Sequence, residues 1–335
     1  MRTATLLLAL LPAVLWAQPK KILMFMPPAA VAKYQAKAPG ARLVSVTAQT
    51  ALAEVADADA VIGNITPEMV RKGTKLKWFH VTSAGVERFL YLSSPELANS
   101  NITVTNAKIV QGPEIADHAL AMLLNLTRGL YKTVPRRGEE NWERDRDEYD
   151  AIELNEKTAV VIGVGGIGTQ IAVRAHAFGM KVIGVDPKDI PILPFIERVV
   201  RPDQLDEVIP LADVVFISAP HTRESHKMVG PNQFSKMKKG AYFIAVSRGG
   251  LYDMPSLVKA LDSRQLAGAG VDVTDPEPLP KGHPLWKFQN AIITPHIATR
   301  SDLSPARRDA VLVENLQRFV AGRPLIHVVD KQRGY

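Results

Sequence analysis

Val160 to Asp186 reads VVIGVGGIGTQIAVRAHAFGMKVIGVD, and this stretch constrains the fold more than any other. The apolar run Val160-Val161-Ile162 meets Gly163-Val164-Gly165-Gly166-Ile167-Gly168, a helical pattern follows, and a second apolar strand, Lys181 to Val185, ends on Asp186. That is the order of a βαβ unit that binds a dinucleotide. Gly163 permits a tight turn, Gly165 lets the backbone approach a pyrophosphate, and Gly168 lets the helix pack close to the strand. The free N–H groups of the helix start, around Gly166 and Ile167, then face the phosphates. Asp186 lies 18 residues beyond Gly168, where a carboxylate can bond ribose hydroxyls. Glycines alone also make ordinary turns; the strand, helix and acid together select the dinucleotide reading.

At 335 residues the chain has room for about two domains. The formal charge of +7 spreads 41 basic against 34 acidic residues, with no long basic run and no nucleic-acid motif. There are no cysteines, which excludes disulfides, thiol catalysis and cysteine–metal sites; no metal site is expected. Arg2 followed by the apolar stretch Leu6 to Ala17 reads as a secretory signal peptide over residues 1–17. The expectation is an exported, periplasmic mature chain from Gln18 onward, without stable membrane insertion, or a cytoplasmic chain if the segment is retained.

The fingerprint starts near the middle of the chain, so a separate unit must precede it. Short apolar strands recur there at Ile22–Phe25, Leu43–Val46, Ala60–Gly63, Trp78–Val81 and Ile102–Val104, with helical stretches between several of them. Beyond Asp186, strands at Val214–Ser218, Ala241–Ala245, Gly268–Val271 and Ala291–Ile293 each run into polar residues. Alternating strands and helices predict an α/β fold of two doubly wound parallel sheets. Ligands bind outside the carboxyl ends of such strands. Pro113–Leu130 is predicted as a long apolar helix linking the units, and Ala306–Ala321 as a helix returning to the first.

Three strand-end residues carry the chemistry: Arg248, Glu277 and His296. Reduction of a 2-keto acid needs a forked cation to hold the carboxylate and polarise the carbonyl, which Arg248 can supply. It needs an acid active near neutral pH, which His296 can supply. Glu277 beside the imidazole would favour its charged form and fix its orientation. Taken singly, each has a plainer reading as a surface cation, a rigid loop acid or a structural histidine. His80, His118, His221, His226 and His283 have no comparable setting and read as structural or surface.

The chain resembles the D-isomer-specific 2-hydroxyacid dehydrogenases. The resemblance rests on the glycine loop, Ser247-Arg248-Gly249-Gly250, Gly270-Val271-Asp272-Val273, Glu277-Pro278-Leu279-Pro280, His283-Pro284-Leu285-Trp286 and Thr294-Pro295-His296-Ile297-Ala298. The Arg-to-Glu interval of 29 residues also matches. It implies a Rossmann cofactor domain (126–299) inserted in a flavodoxin-like substrate domain (18–125 and 300–335). It also implies Arg248 as substrate binder, His296 as acid/base and Glu277 as its partner. Asp272 would lie near the nicotinamide carboxamide, and Ala219, Pro220 and Thr222 would line the cofactor channel. Backbone N–H groups of Ser83, Ala84 and Gly85 would hold the substrate carboxylate. A homodimer pairing through the cofactor domains is implied, near the mixed-charge arm of residues 133–150. Three positions depart from the family pattern: Ala245 for Asn, Gly166 for Arg, and Asp117 for Glu. Asp186 favours NAD, while Lys188 leaves room for NADP. The Glu partner of His296 argues against the formate dehydrogenase branch, where a Gln stands.

The expected activity is NAD(P)-dependent hydride transfer between a small 2-keto acid and a D-2-hydroxy acid, with Trp78, Phe79 and Thr82 shaping the pocket. Two other readings remain open at this level. One is a nucleotide-binding, corepressor-like module with little turnover; the other is an exported oxidoreductase holding a pre-loaded cofactor.

Overall fold

Strands that are apolar at every position can be buried on both faces, which a parallel sheet sandwiched by helices provides. The computed structural model describes residues 18–92, 95–140, 142, 151–191 and 193–335, and in it the strands of the first sheet, largely apolar where they cross its middle, are β1 (Lys20–Met24), β2 (Ala41–Ser45), β3 (Ala60–Ile62), β4 (Trp78–His80) and β5 (Thr103–Thr105). All pair in parallel, in the order β2-β1-β3-β4-β5. This is the flavodoxin-like doubly wound order. The signal peptide expected over residues 1–17 lies outside the described residues, as do residues 141 and 143–150 of the mixed-charge arm. Among the described residues, no helix is long and apolar enough to cross a membrane.

Alternate side chains of these strands feed two cores. Leu23, Val61, Phe79 and Val104 pack on one face with Leu90 and Leu97. Ile22, Met24, Ile62 and Trp78 pack on the other with Leu312, Leu316 and Phe319. The last three belong to the helix Ser304–Val320, whose apolar residues fall on one stripe at helical spacing. Burial of each contributes roughly 1.5–3 kcal/mol. Pro305 opens this helix, where a missing N–H costs nothing, and Gly322, left-handed at φ 66°, follows its end. The returning helix therefore completes the first unit although it comes last in the chain. Trp78 and Phe79 are wholly buried here, so they are core residues and do not line the substrate pocket as expected; the alternation of a strand buried on both faces spends both side chains on packing.

The second sheet contains β6 (Thr158–Ile162), β7 (Lys181–Val185), β8 (Arg198–Val200), β9 (Val214–Ile217), β10 (Ala241–Ala245), β11 (Leu266–Val271) and β12 (Ala291–Ile293). Its order is β12-β11-β10-β9-β6-β7-β8, parallel throughout. The chain winds outward in one direction from β6 and then in the other from β9, so the crevice between these two is the topological switch point. The chain thus holds two doubly wound parallel sheets, the second a Rossmann sheet. β8, a three-residue edge strand, escaped the sequence reading because it is too short to show a period.

The predicted linking helix spans Gly112–Thr127. Ile115, Ala119, Met122, Leu123 and Leu126 pack with Val161, Phe216 and Ile244 of the second sheet. A unit boundary at residue 125 therefore cuts through the second core, and packing puts the division ahead of this helix. Arg307 ties the helix start to the returning helix, donating from Nη2 to Glu114 Oε2 at 2.6 Å and from Nε to the Val110 carbonyl at 2.8 Å.

Candidate active site

The glycine loop runs from the end of β6 into the helix Gly166–Ala177. Gly163 takes φ 91°, and a Cβ there would fall 2.5 Å from the Ala219 backbone, so only glycine lets the two switch-point turns touch. A Cβ on Gly168 would meet the Gly163 carbonyl at 1.8 Å. Gly165, at the N-cap, faces open space where a pyrophosphate could approach unblocked N–H groups. Gly166 has a second reason to be glycine: a Cβ would lie 2.6 Å from the Cα of Ile109. Ile167 is half-buried against the second core.

Asp186 follows β7 directly, with a buried carboxylate. Oδ2 accepts from Val164 N–H at 2.9 Å and Oδ1 from Lys188 N–H at 2.9 Å. The carboxylate is thereby fixed beside the glycine loop. Across the switch point, Ala219 and Thr222 are buried, and the Pro220 carbonyl accepts from Ser225 Oγ at 2.8 Å. A glycine cradle, an uncapped helix start and an oriented acid together fit a dinucleotide.

His296 and Glu277 meet as the sequence reading required. His296 Nδ1 lies 2.6 Å from Glu277 Oε1. A carboxylate acceptor there places the proton on Nδ1 and leaves Nε2, which has no partner among the described residues, to face a substrate. His296 sits in the left-handed region at φ 53°, a conformation costing about 1–2 kcal/mol for a non-glycine residue. Asp272 holds it there. The Asp272 carbonyl accepts from His296 N–H at 2.9 Å, and its carboxylate accepts from Ile297 N–H at 2.9 Å and Ala298 N–H at 3.0 Å. Thr294 Oγ1 donates to Asp272 Oδ1 at 2.6 Å. The Asp272 side chain thus fastens the loop that carries His296.

Arg248 follows β10 and points across to the first unit. Nε donates to Glu87 Oε1 at 2.5 Å and Nη1 to the Ser247 carbonyl at 2.6 Å. Nη2 lies directly over Gly85, where a Cβ would fall 1.8 Å from it. The Ser83-Ala84-Gly85 loop has its carbonyls turned inward: they accept from Ala107 N–H, Asn106 Nδ2 and Ser83 Oγ at 3.0, 2.6 and 3.2 Å respectively. Among the described residues none accepts from the three N–H groups, so the loop presents unpaired donors to which an anion could bind. Gly249 lets the chain leading to Glu277 pass under Arg248, since a Cβ would fall 2.0 Å from the Thr274 carbonyl carbon.

Sequence reasoning missed two participants. Glu87 was not singled out, and His118 was read as structural. His118 Nε2 lies 2.9 Å from Thr294 Oγ1, in contact with the network that fastens His296. His221 and His226 pair with each other at 3.0 Å, and burial together with His226 lowers the His221 pKa. Among the described residues no group of three or more metal-ligating side chains converges.

Residues 120–298 match the family model described as D-isomer specific 2-hydroxyacid dehydrogenase, NAD binding domain. The chain belongs to the D-isomer specific 2-hydroxyacid dehydrogenases. A glyoxylate reductase of Thermofilum pendens is 30% identical over 293 residues, covering 84% of this chain and 84% of the relative. A D-3-phosphoglycerate dehydrogenase of Methanocaldococcus jannaschii is 30% identical over 294 residues, covering 85% of this chain; the chain spans only 54% of that relative's length. Among solved structures, a D-lactate dehydrogenase of Aquifex aeolicus complexed with NAD and lactic acid has TM-score 0.73 and 27% identity, covering 90% of this chain and 96% of that one. As a D-isomer specific 2-hydroxyacid dehydrogenase, the chain carries the family's NAD-binding domain on its second sheet, with the glycine loop and Asp186 at the expected strand ends.

Proposed function

We propose that the protein interconverts a small 2-keto acid and the corresponding D-2-hydroxy acid, with His296 as acid/base. The observations that support this reading are an imidazole held at Nδ1 by Glu277, with no partner at Nε2 among the described residues, and a guanidinium over a loop whose N–H groups have no acceptor among them. The substrate carboxylate would lie on the N–H groups of Ser83, Ala84 and Gly85, facing Nη2 of Arg248. The same cation polarises the adjacent carbonyl. The nicotinamide cofactor, when bound, supplies the hydride. His296 gives its Nε2 proton to the carbonyl oxygen, and Glu277, accepting from Nδ1–H, stabilises the charged imidazole before transfer. In the oxidising direction neutral Nε2 accepts the hydroxyl proton.

Asp186 supports NAD over NADP, because a 2′-phosphate would meet its charge. The glyoxylate reductase relative supports a short 2-keto acid. The resemblance to the family supports a homodimer formed through the cofactor units, and the sequence of residues 1–17 supports export.

The test is NADH oxidation by the chain from Gln18 onward with glyoxylate, hydroxypyruvate, pyruvate and 2-ketoisocaproate. Turnover that is lost in Arg248→Ala and His296→Ala, with NADH binding retained, is the expected result. Tight NADH binding without turnover on any acid would favour a nucleotide-binding module or a retained cofactor instead.

A further inference from the structure

We propose that Glu87 is the positioning residue that aims Arg248 at the substrate carboxylate, an inference that rests on the dehydrogenase reading above. The two side chains come from different sheets. Glu87 follows the loop after β4, Arg248 follows β10, and they are 161 residues apart in the chain.

A guanidinium presents five N–H groups in one plane, at the end of a flexible side chain. Here two of its three nitrogens are engaged by the protein. Glu87 accepts from Nε at 2.5 Å and the Ser247 carbonyl from Nη1 at 2.6 Å. Together they fix the plane and its rotation, and the nitrogen left over, Nη2, is the one above Gly85. Glu87 shares this placement: its Oε2 would stand 2.8 Å from a Cβ on Gly85. The ion pair therefore lies against the loop whose N–H groups have no acceptor among the described residues. Without Glu87, Arg248 would be held only through Nη1, and Nε would be open to a competing two-pronged grip on any carboxylate.

The pair is also partly sheltered, with side-chain exposures of 30% for Arg248 and 21% for Glu87. Because Glu87 offsets the charge of Arg248, the site selects the substrate carboxylate by direction more than by net charge. An opposite role is physically conceivable and predicts the opposite sign. If Glu87 merely competed with the substrate for Arg248, removing it would tighten binding.

The experiment compares Glu87→Ala and Glu87→Gln with the unaltered chain, using NADH turnover with the best 2-keto acid. It also measures binding of oxamate, a carboxylate that resembles pyruvate and cannot accept hydride, to the NADH complex. Glu87→Ala is expected to raise KM and weaken oxamate binding about tenfold, the scale of coupling between partners in one ion pair, while NADH affinity stays constant. Glu87→Gln keeps an acceptor for Nε and should return both values to within about threefold of the unaltered chain. In an Arg248→Ala background, Glu87→Ala should cause no further loss of oxamate binding. A lower KM in Glu87→Ala, a Gln variant as impaired as the Ala variant, or additive losses in the double variant would each overturn the assignment. If the unaltered chain neither turns over nor binds oxamate, the dehydrogenase reading itself falls; if it does both and Glu87→Ala matches it, only the role of Glu87 falls.

Discussion

His118 reaches the turn at His296 through the Thr294 hydroxyl and the Asp272 carboxylate. Thr294 Oγ1 carries a single proton, which it donates to Asp272 Oδ1 at 2.6 Å, so His118 Nε2, 2.9 Å away, must be the donor to Thr294. Asp272 in turn fastens the N–H groups of Ile297 and Ala298. The linking helix Gly112–Thr127 is thereby coupled to the backbone turn that presents His296.

From this relationship, His118→Ala should lower kcat about tenfold, because the turn at His296 loses one of its restraints. His118→Gln, which can place an amide N–H near the same site, should recover part of the loss. Equal kcat in all three proteins would show that the network is only structural packing.

Gly85→Ala should be more damaging than its size suggests. The new methyl would fall 1.8 Å from Arg248 Nη2 and 2.8 Å from Cζ, so the guanidinium must leave the loop. We expect turnover to fall by more than about a hundredfold, a loss comparable to removing one transition-state donor, with NADH binding intact. Retained turnover, measured in the same steady-state assay, would place the substrate carboxylate elsewhere.

Stability should depend on pH through His80, which lies in the first core and accepts or donates at 2.8 Å to Thr105. Burial, aided by the nearby His327, pushes its pKa down from 6.5 to about 4. Between these values the unfolded chain binds more protons than the folded one, so stability falls as pH drops from about 6.5 to about 4 and this contribution levels off below. The full effect is roughly 3 kcal/mol. Denaturant midpoints for the unaltered chain and His80→Gln across that window check it. A parallel pH slope in both proteins would assign the dependence to other groups.

Asp186→Ala should narrow the preference for NAD over NADP by about tenfold or more, since in the proposed binding mode this buried carboxylate would repel a 2′-phosphate. Ratios of kcat/KM for the two cofactors measure this. An unchanged ratio would mean that the Asp186 carboxylate, already bonded to Val164 and Lys188 N–H groups, serves only to brace the glycine loop.

Much of the molecule is legible in the order of its residues. The apolar runs mark the strands, and β7, β10 and β12 fall where those runs place them. The glycine loop and Asp186 are readable because their spacing is local and each position answers to a steric demand. Arg248, Glu277 and His296 are readable because they stand at strand ends, where a parallel sheet presents its ligand face. Contacts between distant segments are another matter. Nothing near Glu87 signals that Arg248 will lie across it, and nothing near His118 signals Thr294; both pairings exist only because two sheets and a linking helix bring those segments together. Trp78 and Phe79 were misjudged for the same reason. Sequence shows that a side chain is aromatic and strand-borne, but which faces of the sheet are covered is decided by the helices packed upon it, one of them from the far end of the chain.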